Sequence, residues 1–195
     1  MSGVSKPHHF VRITREIHSD LQMWLTFLHE FNGTIKFPEL EWESDSDFKF
    51  YSDSSGAMGC GVVFGTSWSC LCWPLEWNMD IKKDITFLEF VPIVLGFYLW
   101  SVNLQNKILL LHVDNLALVE ILNQKTSKNK RVMVLMRELV LLSLKFNIQF
   151  KAAHVKGCMN QLADAISRLQ WDRFKQLAPW ADCHPCQYLF NFGTF

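Results

Sequence analysis

The sequence predicts an α/β fold: a mixed five-stranded sheet, three antiparallel strands then parallel strands, flanked by helices and preceded by a helical arm. Three observations carry this. Short strand-like runs separated by Gly and Ser turns open the body of the chain. A continuous apolar run at 108–113 suits a strand covered on both faces. Strand-like and helix-like segments then alternate, which implies parallel pairing through right-handed crossovers.

In the arm, residues 1–46, Ile17, Leu21, Trp24, Leu25, Leu28 and Phe31 recur at helical spacing, so 14–31 reads as an amphipathic helix. Asn32-Gly33 ends it, and an acidic polar stretch, 41–47, leads to the body at 47–173. There 48–52 reads as a strand running to Asp53, and Ser54-Ser55-Gly56 as a turn. Residues 59–64 and 66–73 read as two further strands joined near Gly65. Residues 85–100 are apolar nearly all round, as in a buried helix. After the strand at 108–113 come a short helix at 116–122, a longer amphipathic one at 132–146, a strand at 147–152 and a final helix at 160–171. Residues 174–195 form a C-terminal tail.

Composition sets the class. Hydrophobic residues make up 49% and charged residues 19%, which is globular sequence and excludes a disordered chain. Sixteen Phe and eight Trp imply a dense core or a face covered by a partner. The longest apolar run, 90–100, is too short to span a bilayer, and the N-terminus lacks the order of a signal peptide. No membrane role and an intracellular location are expected. The net charge of +0 argues against a strong global pull toward nucleic acid but allows a local basic patch. Six cysteines without a secretion signal do not read as a disulfide framework. Cys183-His184-Pro185-Cys186 lacks the second ligand pair that a zinc site needs.

Four acidic residues stand at the edges of apolar segments: Asp53 in FKFYSDSSG, Glu89 in ITFLEFVPIVLG, Asp114 in KILLLHVDN and Asp164 in NQLADAISR. A carboxylate beside buried apolar surface is costly, because burial disfavours its charged form. Each has an ordinary explanation. Asp53 can start a turn. Glu89, three residues after Thr86, fits a capping box. Asp114 with Asn115 can cap the helix that follows. Asp164 can be a solvated helix position, on the face opposite Leu162, Ile166 and Leu169 and beside Asn160 and Arg168. Two of the four, however, stand at strand ends, where sites in such sheets gather. A carboxylate cluster with few other ligand types favours hard metals such as Mg²⁺ or Mn²⁺.

Four motifs in order give the chain a resemblance. YSDSSGAMGCGVVF, ITFLEFVPIVLGFYLW, ILLLHVDNLALVEIL and AAHVKGCMNQLADAISRL resemble the four acidic motifs of ribonuclease H. They are most similar to the ribonuclease H domain of DIRS-type, tyrosine-recombinase retrotransposon polyproteins. The arm is similar to the connection that follows the reverse transcriptase in such polyproteins. The polymerase itself is absent, so the chain looks like an excised piece of an element or a host gene derived from one.

The resemblance implies a fold, a reaction and roles. The fold is RNase H-like. The reaction is hydrolysis of the RNA strand of an RNA–DNA hybrid with two Mg²⁺ (or Mn²⁺) ions, giving a 5′-phosphate and a 3′-hydroxyl. Asp53 would bridge the ions, Glu89 and Asp114 would complete one shell, and Asp164 would help hold the ion that activates water. His154, ten residues before Asp164, is similar to the family's mobile histidine. For substrate binding, the backbone groups of Ser54, Ser55 and Gly56, together with Asn115, are candidates for the 2′-hydroxyl side. Asn160 is a candidate for a phosphate or a 2′-hydroxyl. Lys128, Lys130 and Arg131, with Lys125 nearby, are candidates for tracking phosphates. Two other readings stay open: a catalytically silent remnant or interaction module with the same fold, and an integrase or resolvase acting on DNA.

Overall fold

The structure, a computed structural model, describes residues 10, 12–31, 43–44, 50–157 and 160–187. The chain divides into two compact units, Met1–Thr34 and Ile35–Phe195. The first holds helix α1, Arg15–Glu30, whose N-cap Thr14 accepts from the Ile17 amide. Trp24, Phe27 and Phe31 form its ring contacts. The turn expected at Asn32-Gly33, the start of the strand at 48, Cys158 and the last eight residues lie outside the described residues.

The second unit is α/β. Strands β2 (Phe50–Ser54), β3 (Gly59–Phe64) and β4 (Ser67–Cys72) form the expected antiparallel meander, with Asp53 opposite Gly61 and Gly61 opposite Cys70. Strands β5 (Ile108–Val113) and β6 (Gln149–His154) pair in parallel, with Val113 opposite His154. The sheet is not one five-stranded layer. A short strand β1, Glu43–Ser44, pairs in parallel with β5 at Leu109 and Leu110. Two three-stranded sheets result, in the orders β1-β5-β6 and β2-β3-β4. They adjoin where β2 approaches β5. The edge of β5 at Leu109 and Leu110 is taken by a segment the sequence reads as linker.

Among the described residues, six helices complete the unit: α2 (Met79–Lys82), α3 (Ile85–Trp100), α4 (Leu116–Gln124), α5 (Lys130–Lys145), α6 (Gln161–Ser167) and α7 (Trp171–Leu177). Helix α3 packs on β2, β3 and α5, and its Phe87, Phe90, Val94 and Phe97 are fully buried. Gly96 lets it approach β2, since a Cβ there would stand 2.7 Å from the Phe50 ring. Tyr98 donates to Glu138 on α5. Alternation along β3 splits the core: Val62 belongs to the α3 side, and Val63 to a second cluster with Trp68, Ala165, Ile166 and Phe174.

The final helix expected at 160–171 is two helices. Leu169 takes a left-handed φ of 56°. Its amide reaches the Ile166 carbonyl, and the Gln170 amide reaches the Ala165 carbonyl. This is a Schellman stop, usually built on glycine. Helix α6 closes on β3 because small residues line its seat, Ala163, Ala165 and Ser167, and because β3 offers Gly61. A Cβ at Gly61 would stand 2.6 Å from Ile166 Cβ.

Residues 182–186 cover the outer edge of β4. The Asp182 amide donates to the Thr66 carbonyl and the Cys186 amide to the Trp68 carbonyl. Ser67 and Trp68 donate back to Asp182, and Ser69 to the Cys186 carbonyl. The C-H-P-C segment thus sits on a strand edge that would otherwise present unpaired backbone groups.

Candidate metal centre

Asp53, Glu89 and Asp114 come together although they lie on three separate elements. Asp53 is near the end of β2, Glu89 is in the second turn of α3, and Asp114 directly follows β5. One carboxylate oxygen from each lies within 4.8 Å of those of the other two. Asp53 is buried, Glu89 half-buried, and Asp114 the most open of the three. Like charges this close, partly out of water, repel each other unless a cation or a proton intervenes.

Neighbouring residues relieve the three of ordinary duties. Asp84, not Thr86 with Glu89, caps α3, accepting from the Phe87 amide at 3.1 Å. Asn115, not Asp114, caps α4, accepting from the Leu118 amide at 3.1 Å. The turn after β2 is closed by Ser55, whose hydroxyl oxygen accepts from the amides of Ala57 and Met58.

Titration follows from this setting. Burial first, then the negative charges of Asp53 and Asp114, pushes the Glu89 carboxyl up to about 8, against hydrogen bonds from Ser54. Burial likewise raises Asp53 to about 6, opposed by a hydrogen bond from Ser167 and reinforced by Asp114 and Asp164. At neutral pH the metal-free cluster holds at least part of a proton, which a divalent cation would displace. The donor set, three hard carboxylate oxygens, fits Mg²⁺ or Mn²⁺.

Asp164 stands apart from the three. Its Oδ1 accepts from Arg168 Nε and its Oδ2 from Arg173, each at 2.6 Å. Burial alone would raise its carboxyl, but the hydrogen bonds and charges of the two arginines outweigh it and hold it below the usual carboxylate range. It still lies near enough for its charge to act on Asp53.

The remaining candidates divide. His154 is exposed at the end of β6, and the Val155 amide donates to the Val113 carbonyl, so this strand end runs beside Asp114. Gly157 allows the approach, since a Cβ there would stand 3.0 Å from Asp114 Oδ2. Ser54 bonds Glu89. Gly56 is exposed, with open space where a Cβ would be. Lys128 and Lys130 are exposed and Arg131 half-buried at the start of α5, whose cap Asn129 donates to Asp84 at 2.5 Å. That bond joins the N-termini of α3 and α5. Two candidates are buried. Asn160 does not face a cleft: it is 7% exposed, and its Nδ2 donates to the Ser52 carbonyl at 2.6 Å. Ser55 is also buried, its hydroxyl oxygen in the turn and its carbonyl accepting from Trp73 Nε1 at 2.6 Å. Sequence reasoning assigned no role to Ser167, Arg168 or Arg173. Their signal was proximity to Asp164 in the chain.

No family model matches the chain, and no curated protein does. Among solved structures, it is similar to RNase H1 from the halophilic archaeon Halobacterium salinarum. The TM-score is 0.45 at 16% identity, over 63% of this chain and 94% of that one. It is likewise similar to the N-terminal RNase H domain of a Mycobacterium tuberculosis protein, solved as a maltose-binding-protein fusion. There the TM-score is 0.45 at 17% identity, over 66% and 96%.

Proposed function

We propose that this protein is a metal-dependent endoribonuclease that cleaves the RNA strand of RNA–DNA hybrids. The observation that carries the reading is the convergence of Asp53, Glu89 and Asp114 on one point from three elements. Asp53, Glu89 and Asp114 would hold a divalent ion, and Asp164 would join once it leaves Arg168 or Arg173. Bound divalent ions would supply an activated water and stabilise the leaving oxygen in an in-line displacement. Ser54 keeps Glu89 oriented. His154 would carry a proton at the solvent edge of the site. Lys128, Lys130 and Arg131 would hold backbone phosphates beside the start of α5, and Gly56 and Asn115 would face the ribose. Descent from a DIRS-type retrotransposon, and action beside a reverse transcriptase, belong to the same proposal and rest on the order of the four motifs.

A second reading, a catalytically silent remnant, is favoured by one observation: both carboxylate oxygens of Asp164 are held by arginines. One experiment separates the two. The purified chain is offered labelled RNA–DNA hybrid, duplex RNA and duplex DNA with Mg²⁺, alongside Asp114→Asn. Hybrid-only cleavage that falls by more than about a hundredfold in the variant is expected, since loss of even an outer-shell partner costs 10–100-fold. A folded chain that cuts nothing supports the remnant, and cleavage of duplex DNA overturns the ribonuclease reading.

A further inference from the structure

We propose that Ser167 is a positioning residue of the carboxylate centre, holding the Asp53 carboxylate in the orientation that binds a divalent cation. The inference rests on the metal reading above and extends it to a side chain with no place in the carboxylate set. Ser167 is wholly buried at the last turn of α6. Two acceptors lie within its reach: Asp53 Oδ2 at 2.6 Å and the Asp164 carbonyl at 3.0 Å. A hydroxyl has a single proton to donate. A serine in a helix can satisfy itself on a carbonyl of the preceding turn, so fold stability alone asks nothing more of it. The shorter contact goes instead to the carboxylate, where the bond is charge-assisted and stronger.

The surroundings fix this contact. Ile166, next to Ser167, is seated against Gly61, directly opposite Asp53 in the β2–β3 ladder. At the other end of α6, Asn160 donates to the carbonyl of Ser52, the residue before Asp53. Both ends of the helix therefore brace the β2 segment that carries Asp53. With the strand held fore and aft, the Ser167 hydroxyl limits rotation of the carboxylate. It also supplies a hydrogen bond that favours the charged form among three other acidic groups.

The test is Mn²⁺ binding to the full chain, titrated by electron paramagnetic resonance for affinity and number of sites. Ser167→Ala is expected to weaken Mn²⁺ affinity about 10–100-fold, the usual effect of losing an outer-shell partner, with the number of sites per folded chain unchanged. A merely structural serine would lower the number of sites through unfolding and leave their affinity alone. Ser167→Cys fills the space with a weak donor and covers the case in which the alanine variant does not fold. Its affinity should fall as well. Wild-type affinity, to within about twofold, in either folded variant overturns the positioning role while leaving the metal site standing. A wild-type chain that binds no Mn²⁺ overturns both.

Discussion

Replacing Glu89 with glutamine should stabilise the metal-free protein at alkaline pH and leave it unchanged in mild acid. The carboxyl rises from an ordinary 4.5 to about 8 on folding, which corresponds to roughly 4–5 kcal/mol against the charged form. Glu89 keeps part of its side chain in water, so the expected gain is smaller, about 2 kcal/mol. The sign follows from proton uptake. The folded chain holds this proton to higher pH than the unfolded chain does. Its stabilising effect is complete below 4.5 and is lost as pH rises toward about 8. Asp53 behaves the same way over a lower window, from 3.8 to about 6. Thermal unfolding in a chelator, at about pH 4 and about pH 8, should give nearly equal midpoints for the two proteins at the lower pH. At the higher pH the variant should melt roughly 4–8 °C above wild type. Mn²⁺ should close that gap by stabilising wild type, because it binds the folded form alone. Because other carboxylates titrate in both proteins, the difference between the curves is the readout. Midpoints that stay equal from about pH 4 to about pH 8 would refute the electrostatic account of the cluster.

Two further outcomes test how α6 is held. Gly61→Ala would drive a methyl against Ile166 Cβ at 2.6 Å and the Ala163 carbonyl at 2.9 Å. Lifting α6 should cost about 1–3 kcal/mol in denaturant unfolding and weaken Mn²⁺ binding together with it. A stable variant with unchanged Mn²⁺ affinity would remove α6 from the account of the site. Arg173→Ala breaks a pair whose partners are 41% and 26% exposed, so stability should move by less than about 1 kcal/mol. The Asp164 carboxyl, followed by NMR, should titrate closer to the ordinary carboxylate value. A stability loss of several kcal/mol would show that the arginine pair is part of the core.

Local pattern carried the elements that stand on their own periodicity. The strand at 59–64 and the helix at 85–100 form with the limits their apolar runs set. What depends on distant partners was illegible. Glu43–Ser44 is a polar pair, and only its ladder with Leu109 and Leu110 makes it a strand. A one-turn helix at Met79–Lys82 is too short to show a period. The stop at Leu169 had no glycine to mark it. In the site, three of the four carboxylates converge, whereas Asp164 meets Arg173, nine residues away across a helix break the sequence did not reveal. Asn160 was read as cleft-facing from helical spacing, but it lies at the cap, where its backbone leaves the helix and its side chain turns inward.

The arrangement of caps argues that the triad is more than leftover polarity. A carboxylate that caps a helix or closes a turn is explained by the backbone amides it satisfies. Here those amides are satisfied by other residues one to five positions away: Ser55 for the turn after Asp53, Asp84 for the helix bearing Glu89, and Asn115 for the helix after Asp114. Among the described residues, Ser167 bonds Asp53 and Ser54 bonds Glu89, and both bonds favour the charged form. A fold selected for stability alone would gain by replacing such repelling, partly buried charges with apolar or neutral groups. Retaining three carboxyl groups, two of them with hydrogen bonds that favour the charged form against burial, is favourable only when a positive charge arrives to balance them.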